Sequence, residues 1–143
     1  MHRSRFAVLA LLAAAALAAC SGEATTATVV DPTGTYLLAE VDGKALPAKA
    51  CTGNGTGYLV KSGTLDIRAD GTFSFANTVD EPEVGFRVLF NGDGTYVRSG
   101  STITLTRTFF EPAVIRGTVR QGSVTLDIPF PGCTGTYAHR YTR

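Results

Sequence analysis

Two patterns of apolar residues divide the chain. From Phe6 to Ala19 every position is uncharged and apolar. From Thr35 onward apolar and polar residues mostly alternate with a period of two, which marks strands with one buried face. The alternation is clearest in Thr64–Ala69, where Leu65, Ile67 and Ala69 share one face and Asp66 and Arg68 the other. Asp70-Gly71 then reads as a two-residue hairpin turn, and Phe73 and Phe75 carry the apolar face onto the returning strand.

The same reading applied along the chain predicts strands at Thr35–Val41, Tyr58–Lys61, Val84–Phe90, Thr95–Arg98, Thr102–Thr108, Ala113–Arg120, Ser123–Ile128 and Thr134–Thr142. Ala45–Cys51, which holds Pro47, reads as irregular, Cys51–Gly57 as a glycine-rich loop and Thr78–Glu83 as an acidic loop. Asn91-Gly92-Asp93-Gly94, Ser99-Gly100 and Gln121-Gly122 read as turns, and Pro129 and Pro131 as breakers. After Ala19 no window carries a helical period. Short strands with turn signals every eight to twelve residues indicate a sandwich or barrel. Successive hairpins give a meander, and closing it removes its two exposed edges. The expectation is an all-β domain, an antiparallel meander closing into a roughly eight-stranded barrel.

The apolar run has a different meaning. His2, Arg3 and Arg5 precede it, and Leu17-Ala18-Ala19-Cys20 ends it. It is shorter than the ~20 residues that a membrane-spanning helix needs. A basic head, a short apolar stretch and small residues before the cut are the pattern of an export signal. The ending resembles the lipobox of bacterial lipoproteins. That resemblance implies a helical leader, residues 1–19, cleaved before Cys20, with lipid on the Cys20 thiol. Each buried acyl methylene adds about 0.8 kcal/mol of membrane affinity, so Cys20 would anchor the chain. Ser21 follows it, compatible with sorting to an outer membrane. The implied address is the bacterial cell envelope, on the periplasmic face of the outer membrane or the cell surface. Residues 20–32, small, polar and rich in Thr and Ala, read as the lipidated end and a flexible tether, and residues 33–143 as the barrel domain.

Charge changes the picture little. There are 13 basic and 12 acidic side chains, and Arg3 and Arg5 leave with the leader. No basic footprint for nucleic acid results. Cysteine count matters more. Three cysteines are odd for an exported chain. With Cys20 lipidated, Cys51 and Cys133 remain, each followed by Thr-Gly. An oxidising compartment favours a disulfide between them. It would close a loop of about 80 residues, for which chain entropy gives about 4.5 kcal/mol. Redox chemistry lacks a Cys-x-x-Cys spacing, and two thiols with one mature histidine do not make a zinc site.

Gly34-Thr35-Tyr36-Leu37-Leu38, then Val41-Asp42-Gly43 and Leu46-Pro47, resembles the opening of small bacterial lipocalin-like domains of the META type. Asp70-Gly71-Thr72-Phe73, Asp93-Gly94-Thr95-Tyr96 and Gly100-Ser101-Thr102-Ile103-Thr104-Leu105 match their repeated hairpins, with Tyr36 where lipocalins carry Trp. The resemblance implies a lipocalin-like barrel. Its ligand-lining candidates are Tyr36, Leu38, Leu65, Ile67, Phe73, Phe75, Phe86, Phe90, Ile103, Leu105 and Leu126. Val88, Val119, Val124 and Ile128 belong to the same apolar face, which either lines a pocket or fills a core, since an eight-stranded barrel can do both.

Chemistry-bearing constellations are sparse. His139 lies between Tyr137 and Tyr141 on one strand face and reads as packing or surface, because no Gly-x-Ser-x-Gly elbow accompanies it. Gly53-x-Gly55-x-Gly57 lacks the lysine and helix of a phosphate loop. Asn91–Asp93 lacks the ligand spacing of a calcium loop. Asp80, Glu81 and Glu83 read as a solvated loop. Arg98, Arg107, Arg116, Arg120 and Arg140 read as the wet face of the sheet. The expectation is a monomeric, lipid-anchored, non-enzymatic protein without metal or cofactor. It binds either a small apolar or amphipathic ligand in the barrel or, through loops or a sheet edge, another envelope protein.

Overall fold

The computed structural model describes residues 30–51, 57–81, 85–109 and 114–143, and every regular element among them is a strand. The leader, Cys20 and most of the proposed tether lie outside the described residues. The strands are β1 (Gly34–Val41), β2 (Lys44–Ala45), β3 (Ala48–Ala50), β4 (Tyr58–Ile67), β5 (Thr72–Glu81), β6 (Phe86–Ser99), β7 (Thr102–Arg107), β8 (Val114–Arg120), β9 (Ser123–Ile128) and β10 (Tyr137–Thr142). Around the barrel the order is β1, β10, β9, β8, β7, β6, β5, β4 and back to β1, every pairing antiparallel. β2 and β3 are short additions beside β1 and β4. The predicted eight-stranded closed meander is therefore the fold, and the Ala45–Cys51 stretch, instead of being irregular, holds β3 and the end of β2.

Closure is the work of β1, which serves two partners. Gly34–Leu37 pairs with Thr64–Ile67 of β4, and Leu37–Val41 pairs with His139–Thr142 of β10. A bulge between Leu38 and Glu40 lets one strand turn from the first partner to the second. Most of the apolar residues predicted to face inward do so: Tyr36, Leu38, Leu65, Ile67, Phe73, Phe75, Ile103, Leu105, Val119, Val124, Leu126 and Ile128 are all buried in one cluster, with Phe90 packed against it.

Three local readings need correction. The Asp70-Gly71 turn involves Ala69 as well: Gly71 N donates to Arg68 O and Arg68 N to Thr72 O, with Gly71 at φ +84°. This is a type I turn followed by a left-handed glycine, so Ala69 is exposed in the turn. β5 continues to Glu81, and Asp80 sits in a strand between Lys61 (3.1 Å) and Arg87 (3.4 Å). Glu83 lies outside the described residues. The largest change is at Asn91–Gly94, which is strand and not turn. β6 runs straight through it, because Gly92 and Gly94 serve as places where neighbours come close. A Cβ at Gly92 would meet Phe75 Cε1 at 2.7 Å and Arg107 Nε at 2.9 Å; one at Gly94 would collide with the Thr106 carbonyl.

The two ends of the barrel differ. At one end the connections are tight turns, and the segment before β1 lies across the opening. Tyr36 Oη donates to Pro32 O (2.8 Å), Arg143 Nη1 to Thr33 O (2.6 Å) and Arg98 Nη1 to Val30 O. Pro32 is buried and Val30 packs against the core, so the barrel domain takes in residues that the sequence reading assigned to the tether. At the other end lie the long connections and the Cys51–Cys133 disulfide, with Cα atoms 5.6 Å apart. There β5 and the first half of β6 rise above β7 and β8, since β7 pairs with β6 only from Gly94 onward.

Candidate functional site

The loop-bearing end holds an interior cluster of polar groups among aromatic rings. β5 supplies Phe73, Phe75, Asn77 and Val79 in one inward register, all buried. β10 supplies His139 and Tyr141, both fully buried, with Tyr137 half-buried above them. The connection from β9 to β10 supplies Phe130. It folds back because Cys133 N donates to Phe130 O (3.1 Å) across a turn in which Gly132 has φ +74°. The disulfide from Cys133 to Cys51 and a hydrogen bond from Tyr58 Oη to Pro131 O (3.0 Å) pin this turn. Phe130 is thereby 3% exposed, stacked on Tyr58 at 5.0 Å and in contact with Phe90, Tyr137 and His139 at 5.4, 5.6 and 5.6 Å.

Asn77 owes its place to Gly63, its cross-strand partner on β4. A Cβ at Gly63 would overlap the Asn77 amide and lie 3.1 Å from Leu38 Cβ, so the missing side chain is the recess in which the amide sits. Tyr141 reaches across the barrel from β10 and donates to Asn77 Oδ1 at 2.9 Å. Burial raises the Tyr141 phenol above its ordinary range, so it stays neutral. The other amide atom, Asn77 Nδ2, is buried with no hydrogen-bond partner among the described residues.

His139 repeats this half-satisfied state. Its Nδ1 lies 2.9 Å from Tyr137 O, which can only accept, so Nδ1 carries the proton. Burial lowers the imidazole's titration below its ordinary value, against smaller opposing contributions from the Tyr137 carbonyl and Asp42. The ring is neutral, and Nε2 presents a bare lone pair, also buried and without a partner among the described residues. A buried polar atom without a hydrogen bond costs about 1–3 kcal/mol, so two in one cluster form the least settled part of the core.

Arg107 completes the set. Ile103, Leu105 and Arg107 alternate inward on β7, and Arg107 is 6% exposed. Its guanidinium lies over the rings of Phe75 (5.9 Å) and Phe90 (5.7 Å), and Nη2 donates to Asn91 O at 3.3 Å. The wet-face reading is therefore wrong for Arg107. It holds for Arg116 and Arg120, which are exposed, while Arg140 pairs with Glu40 (Nε to Oε2, 2.8 Å) and Arg98 serves the closed end.

Of the eleven ligand-lining candidates, nine lie in the buried cluster, Phe90 packs against it, and the Phe86 side chain lies outside what the structure describes. Leu38 borders the recess of the Asn77 amide, Leu126 is the cross-strand partner of His139, and Phe75 and Phe90 lie under the Arg107 guanidinium. Val88 shares their face but stands at the rim, 40% exposed, because no wall rises opposite it among the described strands. Reasoning from sequence missed Asn77 and Phe130, placed Arg107 too far out, and left His139 open between packing and surface, of which the structure shows packing. The signal for three of them was phase: Asn77 continues Phe73–Phe75, Arg107 continues Ile103–Leu105, and His139 precedes Tyr141 on a strand pairing with Leu126 and Val41.

The chain matches no family model, no curated protein and no solved structure. The fold and this cluster are what a functional reading rests on.

Proposed function

We propose that the protein is a lipid-anchored module of the bacterial cell envelope, with a lipocalin-like barrel that takes a small apolar or amphipathic molecule at its loop-bearing end. The observation that carries the binding half is that Asn77 Nδ2 and His139 Nε2 are both buried polar atoms without partners among the described residues, in the part of the core that holds Phe75, Phe90 and Phe130. Specific small-molecule sites are mostly apolar with a few convergent polar groups. The anchoring half is supported by Leu17-Ala18-Ala19-Cys20 and the basic head before it. Cys20 takes the lipid, and the chain is a monomer that acts by binding and not by catalysis.

A second reading has its own support. Val88 (40%), Leu89 (59%), Phe109 (68%) and Val114 (45%) expose apolar surface around the same rim. Exposed apolar patches mark interaction sites, so the rim also suits an envelope protein partner with the barrel interior filled.

Native mass spectrometry of the protein extracted from its own envelope tests both halves. The expected spectrum shows an acylated chain beginning at Cys20 and a co-purifying small molecule released on activation. A chain that retains residues 1–19 without lipid overturns the anchor, and repeated absence of any small molecule favours the protein-partner reading.

A further inference from the structure

The polar groups of the cluster have a definite arrangement. Asn77 lies directly opposite Phe90 across β5 and β6. Phe90 contacts Phe130, Phe130 contacts His139, His139 stacks on Tyr141 at 6.5 Å, and Tyr141 returns to Asn77 through its hydroxyl. These five side chains close a circuit around one region of the interior. Two members of the circuit carry unpartnered atoms that are complementary: Asn77 Nδ2 can only donate, and His139 Nε2, whose ring proton is committed to Tyr137 O, can only accept.

The geometry points to Asn77 and His139 as a recognition pair for an uncharged group that donates and accepts at once, a hydroxyl carried on a small aromatic or apolar body. This rests on the ligand-binding reading above and names its ligand class. The hydroxyl gives its proton to His139 Nε2 and takes one hydrogen bond from Asn77 Nδ2. A carboxylate would set its negative oxygens against the Nε2 lone pair, and a hydrocarbon would leave both atoms unsatisfied. The body of the ligand packs against the Phe90 and Phe130 rings of the same circuit. Arg107, over Phe75 and Phe90, is the group that would instead favour an anion, and it sets the alternative against which the inference is tested.

Three probes share a ring and differ in one group: benzyl alcohol, toluene and benzoate. Their affinities for the full chain are measured by calorimetry, together with the ¹⁵N shift of His139 Nε2, which His139→Phe assigns by removing it. Two net hydrogen bonds make benzyl alcohol about tenfold tighter than toluene. It is also expected to bind more tightly than benzoate, and it alone moves Nε2 upfield. His139→Phe keeps the ring contacts and removes the acceptor, so the alcohol's advantage disappears. Equal binding of alcohol and toluene with an unmoved Nε2 overturns the hydroxyl assignment and leaves the ligand-binding reading standing. Tightest binding by benzoate overturns it in favour of Arg107. If no probe binds and Nε2 does not move, both fall. Should His139→Phe not fold, the wild-type shift and the three affinities still decide.

Discussion

Gly94 offers a sharp test of how the tall side of the barrel is built. Residues Asn91–Gly94 carry every local mark of a turn, yet they lie within β6, and Gly94 pairs with Arg107. In Gly94→Ala the new Cβ would overlap the Thr106 carbonyl oxygen, with the carbonyl carbon at 3.0 Å and Arg107 Cα at 3.1 Å. All three atoms are backbone, so no rotamer change relieves the contact. Restoring ordinary van der Waals separation opens β6 from β7 by roughly 1 Å. A ladder bond of ordinary length does not survive that displacement. Losing one or two such bonds costs about 1 kcal/mol each, and residual overpacking adds about 1–3 kcal/mol. The unfolded chain returns about 0.4–1 kcal/mol, because alanine has less freedom to lose. The net expectation is a loss of about 2–4 kcal/mol. Gly100→Ala is the contrast. Its Cβ meets nothing within 4 Å, and its φ of +59° makes the cost purely conformational, about 1–2 kcal/mol. Equilibrium urea unfolding followed by circular dichroism, with the disulfide intact, measures both. Gly94→Asn separates the two roles further, since asparagine suits a left-handed turn but not a close approach in a strand. If Gly94→Ala and Gly94→Asn both retain wild-type stability, the strand assignment of this segment is refuted.

Other expectations follow from the interior. Tyr141→Phe leaves Asn77 Oδ1 buried without its donor, which should cost about 1–3 kcal/mol in the same unfolding experiment; a neutral result would mean that the cross-barrel bond does not form. His139 is held neutral by burial with its titration lowered. Its contribution is therefore complete above the unfolded value of about 6.5 and is lost as pH falls below that, until the folded imidazole itself takes a proton. Stability should decline as pH falls below about 6.5 in the wild type and stay flat over the same range in His139→Phe. Asp31, Glu40, Asp70 and Asp80, all with lowered carboxyl titration, add their losses only at more acid pH. Replacing Cys51 and Cys133 by serine should lower stability by about 2–4 kcal/mol and expose Phe130, read by quicker proteolysis between Pro129 and Thr136.

The alternation of Leu65, Ile67, Phe73, Phe75, Ile103 and Leu105 was enough to predict the barrel, because a period of two has one physical meaning when turns bound it closely. Asn91–Gly94 misled because a glycine has two uses, left-handed backbone and close approach. Only the partner strand, here Thr106 and Arg107, says which applies. The interior polar cluster was half visible. Residue type argued that Arg107 belongs outside, while its phase, like that of the overlooked Asn77, placed it inside. In both cases phase prevailed, since a strand between paired neighbours cannot rotate one side chain to the other face. Phe130 carried no signal, because its place depends on a turn and a disulfide that bring distant residues together.

The strap formed by Val30–Thr33 across the closed end fixes an orientation. Arg98, Tyr36 and Arg143 hold that strap by three backbone carbonyls, so the chain enters the barrel at the end opposite the aromatic cluster. A pull on the N-terminus is therefore borne by the closed end. If Cys20 is the tether, as proposed, the closed end is the one nearer the bilayer, and the rim with Val88 and Phe109 is the farther one. Ligand or partner would be met from the aqueous side, and exchange with the membrane would require the whole barrel to turn over on its tether.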